Sequence, residues 1–163
     1  MDRTLVLLRH AKAEHTMGVD DADRALTERG HRDATAAGTW LVEQDLVPDL
    51  VLCSPARRTR ETWHEVAMAL GARAVEVTAV YEAGLYGGFD IDELLELIAS
   101  TEPEINTLLL IGHNPTMEHL STVLSGDASA GMHTSGIAVH RADDWQAFAP
   151  GAAPLTAEHT ARG

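Results

Sequence analysis

Three short runs, Thr4 to Leu8, Leu50 to Cys53 and Thr107 to Ile111, constrain the fold most. Each is apolar at almost every position instead of alternating, the pattern of strands buried on both faces of a parallel sheet. Between them lie segments with helical spacing. The first, from about Thr27 to Asp45, turns Ala34, Ala37, Leu41 and Trp40 inward. The second, from about Pro55 to Leu70, stacks Ala56, Trp63, Val66, Ala67 and Leu70 on one stripe. The third carries Ile91, Leu94, Leu95 and Ile98 behind an acidic first turn. The fourth opens at Asn114-Pro115, an N-cap followed by the residue suited to the first helical position, and stops near Gly126. Ala74 to Val77 and Gly136 to His140 are two further strand candidates. Buried strands alternating with helices predict a three-layer α/β/α sandwich with a mostly parallel central sheet. The 163 residues fit one domain, 1–163, with a polar loop from Glu14 to Ala25 and an extended or frayed tail over 151–163.

In such sheets ligands bind beyond the carboxyl ends of the strands. After the first run comes Arg9-His10, and after the second Ser54-Pro55-Ala56-Arg57-Arg58, leading into a helix. After the third comes Gly112-His113-Asn114-Pro115, which opens another. Two arginines, two histidines and two helix N-termini therefore converge on one edge, and all of these favour an anion. A histidine after one strand would be an ordinary structural hydrogen-bonder; the coincidence at three strand ends is what core packing does not require.

The net charge of −13, with Lys12 as the single lysine, argues against nucleic acid, whose binding needs many phosphate-neutralising cations. Within that acidic background a small basic focus reads as an anion pocket. The apolar run Leu5 to Leu8 is too short for a signal-peptide core or a membrane span. The one cysteine, Cys53, excludes an internal disulfide and fits a reducing cytoplasm. It is also no phosphatase nucleophile, since the residue six positions on, where such a site needs arginine, is Thr59. No Gly-x-x-x-x-Gly-Lys loop and no His-x-His or His-Glu-x-x-His arrangement occurs, which leaves nucleotide P-loop and metallohydrolase readings without support.

Phosphoryl transfer explains the residue types. Planar guanidinium groups grip phosphoryl oxygens bidentately and stay charged. A neutral imidazole attacks phosphorus well when its other ring nitrogen is held by a carbonyl or carboxylate. With two arginines and a second histidine, charge stabilisation needs no metal.

Arg9-His10, Ser54-Pro55-x-x-Arg58-x-x-x-Thr62 and Gly112-His113-Asn114-Pro115 resemble the histidine phosphatase superfamily, with its phosphoglycerate mutase-like fold. The short chain and the run Leu7-Leu8-Arg9-His10-Ala11-Lys12-Ala13 are similar to its SixA-type phosphohistidine phosphatase branch. That resemblance implies His10 as the phosphorylated nucleophile, with Arg9, Arg58 and His113 binding the phosphoryl group and no metal or organic cofactor. The family's usual glycine after the nucleophile is Ala11 here, so the backbone there must avoid conformations only glycine tolerates. The family's general acid falls near Thr78 when Tyr81 is the anchor, or at Glu82 when the carboxylate itself is aligned; Glu82 is the acid taken here. The expected substrate is phosphohistidine on a partner protein, such as a phosphotransfer domain. The alternatives are a small-molecule phosphomonoesterase or mutase of the same superfamily, and a non-catalytic phosphate- or phosphoprotein-binding module.

Overall fold

The structure is a computed structural model that describes residues 2–128 and 131–163. The three apolar runs form β1 (Arg3–Arg9), β2 (Leu50–Cys53) and β4 (Thr107–Gly112), which lie side by side. With β3 (Thr78–Tyr81), β5 (Gly136–Ala142) and β6 (Leu155–Thr160) they make one six-stranded sheet in the order β3-β2-β4-β1-β5-β6. The β1, β2, β3 and β4 pairings are parallel, and β5 runs antiparallel to both of its neighbours.

Alternate residues of the central strands point to opposite faces, and both faces are dry. Leu5, Leu7, Leu108 and Leu110 pack under α3 (Ile91–Ala99) and α4 (Thr116–Ser125), against Leu94, Ile98, Leu120, Leu124 and Trp145. Val6, Leu8, Val51, Cys53, Leu109 and Ile111 pack on the other side against Ala37, Leu41, Val66 and Leu70 of α1 (Glu28–Glu43) and α2 (Arg57–Leu70). This is the expected three-layer sandwich. Burial on both faces is why those strands carry almost no polar residue.

Local signals set the helix ends. Thr27 caps α1 by accepting from the Gly30 amide at 3.0 Å, and Asp90 with Glu93 forms a capping box on α3. Gly126 ends α4 in the left-handed conformation, φ 79°. Gly30 has a second duty: a Cβ there would meet the Lys12 carbonyl oxygen at 2.1 Å, so the loop after β1 lies directly on the start of α1.

Three expectations are corrected. Ala74 to Val77 is no strand: a 3-10 turn spans Gly71–Glu76 and β3 begins at Thr78. The 151–163 tail is not frayed, since β6 pairs with β5, Ala161 is fully buried and Arg162 bonds the Thr134 carbonyl at 2.9 Å. Asn114 does not immediately precede the helix; the Asn114-Pro115 peptide is cis, α4 starts at Thr116, and the Asn114 side chain accepts from the Glu118 amide at 3.2 Å. Among the described residues no helix is long and apolar enough to cross a membrane.

Candidate active site

The sheet register assembles the site. β2, β4 and β1 are consecutive neighbours, so the chain leaving each delivers its polar residues to one edge. Arg9 pairs with Gly112, the His10 amide donates to the Gly112 carbonyl at 3.0 Å, and the Ser54 amide donates to the Ile111 carbonyl at 3.1 Å. Arg58 sits in the first turn of α2 and His113 follows β4 directly. The structure thus brings Arg9, His10, Arg58 and His113 together, with the His10 and His113 ring centroids 5.3 Å apart.

His10 is 7 % exposed, and its Nδ1 lies 2.7 Å from the Ala11 carbonyl oxygen. A carbonyl can only accept, so Nδ1 carries the proton and Nε2 keeps its lone pair. Burial pushes the His10 pKa down to about 3; the Ala11 hydrogen bond opposes this, and His113, Arg58 and Arg9 add to it. Near neutrality the ring is uncharged and nucleophilic. Ala11, whose carbonyl orients the ring, is itself held, because its amide donates to Thr62 Oγ1 at 3.0 Å while that hydroxyl donates to the Arg58 carbonyl at 2.7 Å. Thr62, fully buried on α2, therefore ties the loop bearing His10 to the turn bearing Arg58.

His113 Nε2 lies 2.8 Å from Ser54 Oγ, which also receives the Ala56 amide at 3.3 Å. Satisfying all three groups sends the Ser54 hydroxyl proton to Nε2 and leaves the His113 proton on Nδ1, an assignment made from this network. Burial first, then Arg58, lowers the His113 pKa to about 4, so this ring also stays neutral until an anion arrives.

Arg9 Nη1 donates to the Met132 carbonyl at 3.0 Å. That carbonyl also accepts from Asn114 Nδ2 at 2.8 Å, and the Met132 amide donates to Glu118 Oε2 at 3.3 Å. Burial draws the Arg9 pKa below its very high ordinary value, against the pull of Glu118. Arg58 is 6 % exposed; its Nη1 donates to the Asp21 carbonyl at 2.7 Å and its Nη2 to Asp21 Oδ2 at 3.1 Å. Asp21 lies in a 3-10 turn, Asp21–Asp23, inside the loop expected at Glu14 to Ala25. Tyr86 donates its phenol proton to the same Oδ2, and this bond, ahead of those from Arg24 and Arg58, holds the Asp21 carboxyl well below the usual carboxylate range. The Tyr86 ring stands 5.5 Å from that of His113 and 5.9 Å from the Arg58 guanidinium carbon.

Five buried side-chain polar atoms among the described residues have no hydrogen-bond partner, and Arg9 Nε, Arg58 Nε and His113 Nδ1 are three of them. Unpaired buried donors cost about 1–3 kcal/mol each, so their concentration in one cluster marks a place built for an acceptor. A hollow of about 590 Å³, lined by Thr39, Trp40 and His159 among others, lies between α1 and β6 and contains none of these residues. Chemistry, not size, singles out the edge of β2, β4 and β1.

Glu82 is placed at the carboxyl end of β3, one strand beyond Ser54, where its amide donates to the Cys53 carbonyl at 2.9 Å. No hydrogen bond or ion pair among the described residues joins its carboxylate to the four clustered side chains. The carboxylate that does touch the cluster is Asp21, and sequence reasoning missed both it and Tyr86. Burial pushes the Cys53 thiol up to about 12, so it stays protonated and inert. Among the described residues no group of three or more His, Cys, Asp or Glu side chains is placed to hold a metal ion.

Comparison with known proteins follows the same lines. The model of the histidine phosphatase superfamily (branch 1) matches residues 5–107. A Mycobacterium tuberculosis protein, itself named as uncharacterised, is 37% identical over 166 residues, covering 95% of this chain and 100% of its own length. A solved structure of the putative phosphohistidine phosphatase SixA from Nakamurella multipartitia is 34% identical with a TM-score of 0.81, covering 98% of this chain and 96% of that one. The putative SixA from Agrobacterium tumefaciens is 30% identical with a TM-score of 0.81, covering 98% of both chains.

Proposed function

The chain belongs to branch 1 of the histidine phosphatase superfamily, and on that footing we propose that it removes phosphoryl groups through His10, with phosphohistidine on a partner protein as the substrate. The observation that carries this reading is the His10 Nδ1 contact with the Ala11 carbonyl, which frees Nε2 for attack in a cluster holding unpaired donors of Arg9, Arg58 and His113.

The steps follow from that geometry. Arg9, Arg58 and His113 take the phosphoryl oxygens, and the bound dianion raises the His113 pKa so that this ring becomes a cationic donor. Nε2 of His10 attacks phosphorus; a new P–N bond forms as the bond to the leaving group breaks, and the electron pair of that bond departs with the leaving group. Water then attacks phosphorus, the P–N bond to His10 breaks, and inorganic phosphate leaves with the neutral ring restored. Splitting one displacement into two in this way is the gain of covalent catalysis.

The preference for P–N cleavage rests on the proton donor. An alkoxide leaves poorly without a positioned acid, whereas an imidazole leaves more easily. Asp21 is held as an anion by Tyr86, Arg24 and Arg58, which suits it badly to donate a proton. Glu82 stands at the neighbouring strand end without contact to the cluster; its position favours a second reading, a small-molecule phosphomonoesterase in which Glu82 swings in as acid. A cytoplasmic location, consistent with a single cysteine, is part of the same proposal.

Turnover of a phosphohistidine-bearing phosphotransfer domain, 3-phosphoglycerate and p-nitrophenyl phosphate, by wild type and His10→Ala, tests it. The phosphorylated domain should give the highest kcat/KM, and His10→Ala should abolish turnover of all three. Equal or faster cleavage of 3-phosphoglycerate, whose alkoxide needs a positioned acid, sinks the P–N preference, and activity surviving in His10→Ala sinks the nucleophile. A wild type that binds phosphate with no turnover would favour a binding module.

A further inference from the structure

Arg58 is the point at which the phosphoryl cradle meets an anion belonging to the protein. Two of its three nitrogens are engaged by one residue, Nη1 with the Asp21 carbonyl and Nη2 with the Asp21 carboxylate, while Nε alone is left unpaired. Asp21 is fixed from two further sides: Tyr86 donates to Oδ2, and Arg24 Nη1 donates to Oδ1 at 3.1 Å. Arg24 is anchored in turn by its Nε bond to the Glu14 carbonyl at 2.8 Å. A carboxylate with three charge-assisted or phenolic donors does not leave when a substrate arrives. It stays beside the bound phosphoryl group as a permanent negative charge, its side chain 56% exposed toward the solvent from which substrate must come.

We infer that Asp21, clamped by Tyr86 and Arg24, is a specificity determinant that rejects phosphate compounds carrying a second anionic group next to the phosphoryl group. This deepens the phosphohistidine reading and rests on it: the substrate class admitted is a phosphoryl group on an uncharged or cationic nitrogen ring, and the class refused is the carboxylated phosphoester. A phosphoryl dianion gains from Arg9, the free Nε of Arg58 and His113, and tolerates one nearby carboxylate. An added substrate carboxylate finds no unpaired cation beside Arg58 to answer it, because Asp21 already occupies Arg24 and the outer nitrogens of Arg58. Like charges a few ångström apart in a partly solvated rim weaken binding by about tenfold. The Tyr86 ring beside His113 adds an apolar flat surface at the same rim, suited to a planar ring and of no use to a carboxylate.

The test uses two non-hydrolysable ligands that differ by one carboxylate, methylphosphonate and phosphonoacetate. Their dissociation constants are measured by calorimetry on wild type, Asp21→Asn and Tyr86→Phe. Wild type should bind methylphosphonate at least tenfold more tightly than phosphonoacetate. In Asp21→Asn that contrast should shrink about tenfold, whatever happens to the two affinities separately, since any loss of Arg58 positioning affects both phosphonates alike. Tyr86→Phe keeps the charge and should hold the contrast within about threefold of wild type. An unchanged contrast in Asp21→Asn, or an equal collapse in Tyr86→Phe, overturns the assignment, the latter because loop order and not charge would then be the cause. Binding is read without turnover, so the contrast remains measurable even if the His10→Ala experiment refutes the phosphatase reading.

Discussion

Thr62→Val is the most searching small perturbation of the site, because it removes one hydroxyl and almost no volume. Thr62 Oγ1 is fully buried and receives the Ala11 amide at 3.0 Å. Its own proton goes to the Arg58 carbonyl, which as an α2 backbone group keeps its helical partner when the hydroxyl is gone. The substitution therefore leaves one group orphaned, the Ala11 N–H, at a cost of about 1–3 kcal/mol. For a chain of this size that corresponds to a fall in Tm of roughly 3–10 °C. The same residue presents the carbonyl that holds His10 Nδ1, so its loss of anchorage also loosens the His10 ring. Misplacing a reacting group by a fraction of an ångström to 1 Å costs up to about 10²-fold in rate, so kcat should drop roughly 10- to 100-fold with KM little changed. Thr62→Ser restores the hydroxyl and should recover most of both effects. Scanning calorimetry and steady-state kinetics on the three proteins decide the matter. A Thr62→Val protein with wild-type Tm and kcat would refute the link between the α2 hydroxyl and the nucleophile.

Other consequences are as direct. Arg58→Ala should lower kcat/KM by about 10²–10³-fold, and Arg58→Lys should recover little, because an ammonium cannot keep both bonds to Asp21 and still aim a donor where Nε stands; a Lys variant within threefold of wild type would contradict this. His10 and His113 both have folded pKa values, about 3 and about 4, below the ordinary histidine value, so they stay neutral in the fold while the unfolded chain takes up protons. Their contribution is fully present above about pH 6.5 and is lost as pH falls toward 4 and below, so Tm should decline over that window and decline less steeply in His10→Asn. Truncation after Pro154 removes β6 and the buried Ala161, and should lower Tm by more than 5 °C, about 1–2 kcal/mol on this scale; an unchanged Tm would mean that the edge strand adds nothing.

How far the sequence disclosed this structure depended on whether a residue's role was local. β2 was legible to its boundaries and β1 and β4 within one or two residues, because burial on both faces writes a continuous apolar run. β3 and β6 are edge strands whose residues are nearly all exposed, so no apolar pattern marks them. β3 was sought four residues too early, in a segment that forms a 3-10 turn, and β6 was read only as an extended or frayed tail, although its backbone pairs along β5. The four clustered side chains were legible because each ends or directly follows a strand, or opens a helix, at the carboxyl edge, where topology alone brings neighbours together. Asp21 and Tyr86 left no such trace: their mutual contact spans 65 positions and Asp21 meets Arg58 across 37, with no periodic spacing to announce either. Glu82 shows the limit from the other side. It directly follows β3, but position on the edge did not bring its carboxylate into contact with the cluster.

The central claim is that His10 carries the phosphoryl group in the course of the reaction. It is tested by brief incubation of wild-type protein with a phosphoryl donor labelled in the phosphoryl group, followed by denaturation, split acid and alkali treatment, and mapping of the labelled peptide. The account predicts label on the peptide containing His10, labile in acid, stable in alkali, and absent from His10→Ala. An acid-stable label on Ser54 or Cys53, or turnover with no label at His10 at any time point, would contradict it.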